Sequence, residues 1–183
     1  RLMRLHGISR DVWNRYTSTQ PSWYYEVVAP GYKYNLTDIA SAIGLVQLNK
    51  AQSFQTRRER IAQQYHSAFQ GHPAFQVPLQ RHPEDVHAWH LYVLRLNLER
   101  LTIDRNQFIQ EMARRGVGCS VHFIPLHLQP FWRDRYGLDP SQFPVATQEF
   151  ERVVSLPIYP TMDDSKVQRV IDAALEIADL FAS

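Results

Sequence analysis

The residues with the clearest chemical potential stand just before a predicted helix. Lys33, Tyr34 and Asn35 follow a proline–glycine turn, and an apolar helical stripe begins a few residues later. Free backbone N–H groups and the helix dipole favour negative charge at a helix N-terminus, so this loop can hold an anion. Asn35 is placed to cap the helix. The alternative is a capped helix start with an exposed lysine, and these residues alone leave both interpretations open.

The histidines predict no metal site. His122 and His127 lie five residues apart around a proline, but no third and fourth ligand stands nearby. His87 and His90 fall on opposite faces of a predicted strand and cannot easily share one ion. The sequence also lacks a Cys-x-x-Cys pair, a Gly-x-Gly-x-x-Gly loop, a P-loop and a Gly-x-Ser-x-Gly elbow.

Composition narrows the class of protein. The chain has 183 residues, of which 44% are hydrophobic and 21% charged, with a formal net charge of +2. This balance is typical of a globular protein and gives no reason to expect nucleic-acid binding. No apolar run is long enough for a membrane helix and no signal peptide is recognisable, so with a single cysteine we expect a cytoplasmic protein. Because the sequence opens on Arg1, we interpret it as part of a longer protein.

The predicted elements fall into three parts. Residues 1–35 form an arm with an aromatic-rich segment at 8–29, which either plugs a core edge or contacts another chain. Residues 36–70 form a long helix with two apolar stripes, the first carried by Ile39, Ile43 and Val46. Residues 71–183 form a small domain.

Strands and helices mix in the small domain without regular βαβ alternation, which favours an α+β fold with a small mixed or antiparallel sheet and helices on one face. The strongest strand is predicted at 87–97, with Trp89 and Val93 on one side and Tyr92 on the other. A further strand is predicted at 117–123 from alternating apolar residues. Asp104 with Gln107 predicts a capping box, and residues 167–181 follow a clean helical period.

Five segments resemble, in order, motifs of the DegT/DnrJ/StrS family of PLP-dependent nucleotide-sugar aminotransferases. The segment at 31–39 matches the family's G-[YF]-N-x-R-[ML]-[TS]-[ED]-[IL] loop, in a variant similar to members that make UDP-4-amino-4-deoxy-L-arabinose. The segments are GYKYNLTDI at 31–39, RRERIAQQY at 57–65, HAWHLYV at 87–93, VHFIPLHLQP at 121–130 and LPIYPTM at 156–162. The resemblance implies the C-terminal half of a fold-type I aminotransferase: the small domain, joined by a long connecting helix to a large PLP-binding domain.

The resemblance also implies roles for individual residues. The family's loop asparagine helps hold the PLP phosphate of the neighbouring subunit in a homodimer. Here Lys33 occupies the asparagine position and Asn35 the arginine position, so either can make that contact. The remaining residues that would face the sugar nucleotide and the glutamate or 2-oxoglutarate are Tyr24, Tyr32, Tyr34, His122 and His127.

The implied reaction moves an amino group from L-glutamate to a keto nucleotide sugar, with the keto group expected at position 4. The aminated sugar would be used in the biosynthesis of cell-envelope polysaccharide or lipid A. None of Lys33, Lys50 and Lys166 has the context of the lysine that forms the Schiff base, so we expect that lysine upstream of Arg1 and this stretch alone to be inactive. Two alternatives remain. One is a PLP-dependent deoxysugar dehydratase of the same fold, and the other is a non-catalytic oligomerisation or regulatory module.

Overall fold

The computed structural model describes residues 2–9, 25–79, 82 and 84–183. The backbone divides into two compact units, Arg1–Lys50 and Ala51–Ser183, and the division falls inside the long helix α1 (Asp38–Phe69). Tyr24 and most of the aromatic segment lie outside the described residues. The predicted domain boundaries at 35 and 70 stay predictions.

The first unit is built on backbone pairing between its two described segments. Leu5 bridges Lys33 and Ile8 bridges Val27, both in antiparallel sense. The Tyr34 N–H donates to the Arg4 carbonyl at 2.7 Å, and the His6 N–H donates to the Tyr32 carbonyl at 2.9 Å. Within this unit, Leu2–Arg4 forms a 3₁₀ turn before the pairing begins.

Two glycines allow this pairing. A Cβ atom built on Gly31 would lie 2.0 Å from the Gly7 nitrogen, and one built on Gly7 would lie 1.7 Å from the Ala29 oxygen. Gly7 also has a φ of +70°, a left-handed conformation that glycine adopts at little cost. The two chain segments therefore approach so closely only because neither residue has a side chain.

Helix α1 begins at a different cap from the one predicted. The Thr37 Oγ1 accepts the Ala40 N–H at 3.3 Å, and the Ser41 N–H donates to the Thr37 carbonyl at 2.8 Å. Asn35 lies two residues before this cap, so its predicted capping role is wrong. The side chain of Asn35 makes no hydrogen bond with another residue of the described part of the chain.

The second half of α1 anchors the second unit. The second predicted apolar stripe consists of Phe54, Ile61, Tyr65 and Phe69, of which the last three are fully buried. Polar side chains of the same half donate to loop carbonyls, which satisfies buried backbone groups. The Tyr65 hydroxyl donates to the Pro157 carbonyl at 2.7 Å, and Arg58 Nη1 donates to the Trp89 carbonyl at 2.9 Å.

An antiparallel sheet of order β1-β2-β3 occupies the middle of the second unit. Its strands are β1 (Phe75–Gln76), β2 (Tyr92–Leu96) and β3 (Val153–Leu156). Phe75 pairs with Leu96, and Tyr92 pairs with Leu156.

The faces of β2 differ in what covers them. Tyr92, Leu94 and Leu96 face the core and are fully buried. Arg95 points the other way and forms an ion pair of 2.5 Å with Glu149, so the expectation of helices on one face only is wrong. Trp89 lies before the strand, in a loop where its φ is 44°.

Helices complete the second unit. They are α2 (Arg105–Arg114), α3 (Pro130–Tyr136), α4 (Pro144–Arg152) and α5 (Asp164–Leu180). The predicted capping box is confirmed, since Gln107 N donates to Asp104 Oδ1 at 2.8 Å and Asp104 N donates to Gln107 Oε1 at 2.9 Å. In the described residues, no helix is long and apolar enough to cross a membrane.

The strand predicted at 117–123 is wrong. Only Ser120 pairs with the sheet, exchanging two backbone hydrogen bonds of 2.7 and 3.1 Å with Ser155. Phe123 then adopts a left-handed φ of 38° and is 78% exposed, which ends any extended run. The alternation of apolar residues therefore belongs to a loop with one bridge.

Candidate functional site

The loop predicted to hold an anion is a short extended segment of the first unit. Tyr32 and Tyr34 stack ring on ring, with centroids 5.1 Å apart and planes 11° from parallel, so both lie on one face. Successive side chains of an extended backbone point to opposite faces, which directs Lys33 away from the two tyrosines. The same alternation predicts that Asn35 shares the face of Lys33.

Lys33 is an available cation on a fixed backbone. Its side chain is exposed and makes no ion pair with an acidic residue in the described segments. By contrast, Lys166 Nζ lies 2.8 Å from Asp163 Oδ2. An ammonium group without a carboxylate partner can neutralise a phosphate as a point charge.

The two candidate histidines share one loop of the second unit but differ in environment. His122 is exposed, and its ring contacts the Phe123 ring with centroids 4.7 Å apart. His127 is only 5% exposed, although it sits in a surface 3₁₀ turn, Leu126–Leu128. Of the pair, His122 is the side chain that a ligand in solvent can reach.

His127 is held by residues far along the chain. Its Nε2 lies 2.9 Å from Thr147 Oγ1, and its ring stacks on Phe143 with centroids 4.8 Å apart. Sequence reasoning missed Thr147, because nothing in the pattern links a histidine to a threonine twenty residues later. It also gave no structural role to Gly7, whose missing side chain allows the close approach of Ala29.

Burial lowers the reactivity of several other titratable groups in the described residues. Burial raises the pKa of the Cys119 thiol to about 12, so this cysteine is protonated at neutral pH and a poor nucleophile. No group of three or more His, Cys, Asp or Glu residues that could hold a metal occurs in the part of the chain described by the structure. Burial also raises the pKa of the Tyr65 and Tyr92 hydroxyls, which lie in the core.

The predicted site residues thus fall into two groups. Lys33, Asn35, Tyr32 and Tyr34 share the extended segment of the first unit, whereas His122 and His127 share a loop of the second. Tyr24 lies outside the described residues.

Comparison with known families identifies the family to which the chain belongs. Residues 1–175 match the model of the DegT/DnrJ/EryC1/StrS aminotransferase family. The chain belongs to this family. That assignment confirms the family resemblance carried by the five motifs, while the particular likeness to enzymes of 4-amino-4-deoxy-L-arabinose synthesis stays a prediction.

Curated relatives cover nearly all of the chain. It is 48% identical over 178 residues to the uncharacterized protein MJ1066 of Methanocaldococcus jannaschii. It is 43% identical over 178 residues to the spore coat polysaccharide biosynthesis protein SpsC of Bacillus subtilis. Each alignment covers 97% of this chain but 45% of the relative, so the chain spans about half the length of these proteins.

A solved structure supports the same fold. The chain resembles the sugar aminotransferase Spr1654 of Streptococcus pneumoniae in its PMP form, with a TM-score of 0.77 and 31% identity. The match covers 98% of this chain and 44% of that one. The predicted fold class, the C-terminal α+β part of an aminotransferase, is confirmed.

Proposed function

We propose that this chain is the C-terminal part of a PLP-dependent aminotransferase that moves an amino group from L-glutamate to a keto nucleotide sugar, with the keto group at position 4. The product would serve cell-envelope polysaccharide or lipid A synthesis. The family match supports aminotransfer, and the likeness to SpsC supports a role in polysaccharide synthesis. Spr1654, solved in PLP and PMP forms, supports the cofactor.

The residues of the first unit fit a phosphate group. Lys33 has no acidic partner among the described residues, and its backbone is held by the pairing with Leu5. Asn35 does not cap the helix, so its side-chain amide can donate a second hydrogen bond to the phosphate. PLP supplies the electron sink for transfer of the amino group when it is bound. The observation that carries the proposal is this available ammonium group on a fixed loop.

We further propose that Lys33 and Asn35 act across a homodimer, on the cofactor of the neighbouring subunit. Ile39, Ile43 and Val46 line the start of α1 and all remain more than half exposed in this chain. An exposed apolar stripe next to the phosphate loop is suited to contact with another protein surface. Tyr32, Tyr34 and Tyr24 would then line the substrate side, and His122 would hydrogen-bond a sugar hydroxyl or the donor carboxylate.

The experiment titrates PLP against the full-length protein and its variants, following the visible absorption band. We expect Lys33→Ala or Asn35→Ala to weaken PLP binding about tenfold, because a hydrogen bond to a charged group contributes about 1.5–3 kcal/mol. Lys166→Ala is the matched control, since its ammonium already pairs with Asp163. The 183-residue chain alone should give no band.

Two results would contradict parts of this proposal. Equal PLP affinity in wild type and both variants would remove the phosphate role of the loop. Loss of water from the sugar without transfer of nitrogen from glutamate would favour the dehydratase alternative.

A further inference from the structure

His127 occupies a closed environment within an exposed loop. The ring is 5% exposed, stacks on Phe143 at 23° between planes, and places Nε2 2.9 Å from Thr147 Oγ1. Such a ring can contact a ligand in solvent only if the loop moves.

The Thr147 hydroxyl connects His127 to a backbone carbonyl. Thr147 Oγ1 lies 3.2 Å from the Pro140 carbonyl oxygen, which can only accept. When the threonine hydroxyl donates its single hydrogen there, Nε2 of His127 carries a proton and donates to Thr147. When the hydroxyl donates to a neutral Nε2 instead, the Pro140 carbonyl still accepts the Phe143 N–H at 3.0 Å. In both cases His127 and Thr147 share one hydrogen bond.

The hydrogen bond between His127 and Thr147 anchors one end of a loop with a strained backbone. Phe123 has a φ of 38°, a left-handed conformation that is unfavourable for a residue other than glycine. Strain of this kind persists only where the surroundings hold it in place. Upstream, the loop is held by the Ser120–Ser155 backbone pair, and downstream it is held by His127.

We propose that His127 is a positioning residue rather than a substrate ligand. By its hydrogen bond with Thr147 it fixes residues 121–126 and with them the exposed imidazole of His122, which meets the nucleotide sugar. This assignment rests on the proposed function. Of the two histidines of the motif, His122 then binds the substrate and His127 holds the loop in place.

The test uses the full-length protein loaded with PLP and compares three variants. Thr147→Val removes the hydroxyl at nearly constant shape and should weaken nucleotide-sugar binding about three- to tenfold while leaving PLP affinity unchanged. His127→Phe should weaken it by at least as much. His127→Gln keeps an N–H close to the position of Nε2 and should recover most of the affinity.

Hydrogen exchange provides a readout that needs no substrate. The Leu128 N–H donates to the Pro125 carbonyl at 2.9 Å, and it should exchange faster in Thr147→Val and His127→Phe than in wild type and His127→Gln. If wild type binds no nucleotide sugar, the proposed function fails, and this exchange pattern still decides whether His127 holds the loop.

Other outcomes would overturn the assignment. Unchanged nucleotide-sugar affinity and unchanged hydrogen exchange in Thr147→Val would show that the hydrogen bond between His127 and Thr147 does not hold the loop in place. A large affinity loss in both His127 variants, with Thr147→Val like wild type, would make His127 a direct ligand.

Discussion

The two units differ in what holds their candidate residues in place. In the second unit, one connected core includes Tyr65, Phe69 and Phe108, all fully buried. Among the described residues of the first unit, no hydrophobic side chain is buried, and Ile39 is 77% exposed. Helix α1 contributes to both units, so a single helix carries a buried stripe at one end and an exposed stripe at the other.

This difference shows two ways of positioning a functional side chain. Burying a large apolar side chain contributes about 1.5–3 kcal/mol, and the loop of His122 is attached to elements that have this support. The loop of Lys33 depends instead on backbone hydrogen bonds and on the contact of Gly7 with Gly31. Its geometry is therefore sensitive to small backbone changes, and its exposed apolar side chains are available to a partner.

The largest expected effect is in the core. Phe69→Ala should lower the free energy of unfolding by about 3–5 kcal/mol, because it removes a fully buried ring and leaves a cavity. Ile39→Ala, on the same helix, should change it by less than about 0.5 kcal/mol in the monomeric chain. Denaturant titration measures both. Similar losses in the two variants would show that the first unit also has a core.

Gly31→Ala should have the next largest effect, confined to the first unit. The new Cβ would meet the Gly7 nitrogen at 2.0 Å, and relieving such overpacking typically costs about 1–3 kcal/mol. We expect faster exchange of the Val28 N–H, which donates to the Gly7 carbonyl at 2.9 Å, and weaker PLP binding in the full-length protein. Gly118→Ala is the control, since its Cβ would meet nothing within 4 Å. If Gly31→Ala kept the exchange rates and the PLP affinity of wild type, the geometry of the loop would not depend on the backbone pairing.

The sequence predicted those elements whose determinants are local. The capping box at Asp104 and the last helix were recognised because their signals lie within a few residues of each other. The cap of α1 was assigned to Asn35 instead of Thr37, since both residue types can cap. What decides between them is the pairing of Tyr34 with Arg4, which is thirty residues away in sequence.

The candidate site shows the same limit. Motifs select Lys33 and His122 as candidates, because residue type and neighbours are enough to match a family loop. They do not show that His122 is exposed while His127 is buried against Phe143, because that difference comes from residues outside the motif. The strand predicted at 117–123 failed for a similar reason: alternation gives a pattern, but only Ser120 finds a pairing partner.

Gly44→Ala tests the exposed half of α1 with a smaller effect. A Cβ at this position would meet nothing within 4 Å, so alanine should stabilise the helix by about 0.5–1 kcal/mol. Thermal unfolding of the 183-residue chain measures this gain. Gly44→Leu should also be tolerated in the monomer, yet lower the stability of the proposed homodimer if a second surface packs closely here. Equal behaviour of Gly44→Leu in both forms would argue that this face of the helix stays in solvent.

The smallest expected effect is at the start of α5, and it depends on pH. Hydrogen bonds from the Lys166 and Ser165 side chains and from the Lys166 N–H hold the pKa of Asp163 well below its ordinary value of 3.8. A carboxylate whose pKa is lower in the folded state than in the unfolded state stabilises the fold above the unfolded pKa, and this contribution disappears as pH falls through the folded value. Asp163→Asn keeps a capping side chain without the charge, so it should melt below wild type at pH 7 and approach it below pH 4. Thr37→Ala, which removes the uncharged cap of α1, should show a difference from wild type that does not vary over this range. A wild-type and Asp163→Asn difference that stayed constant from pH 7 down to about pH 2 would mean that the charge of Asp163 contributes nothing to this helix.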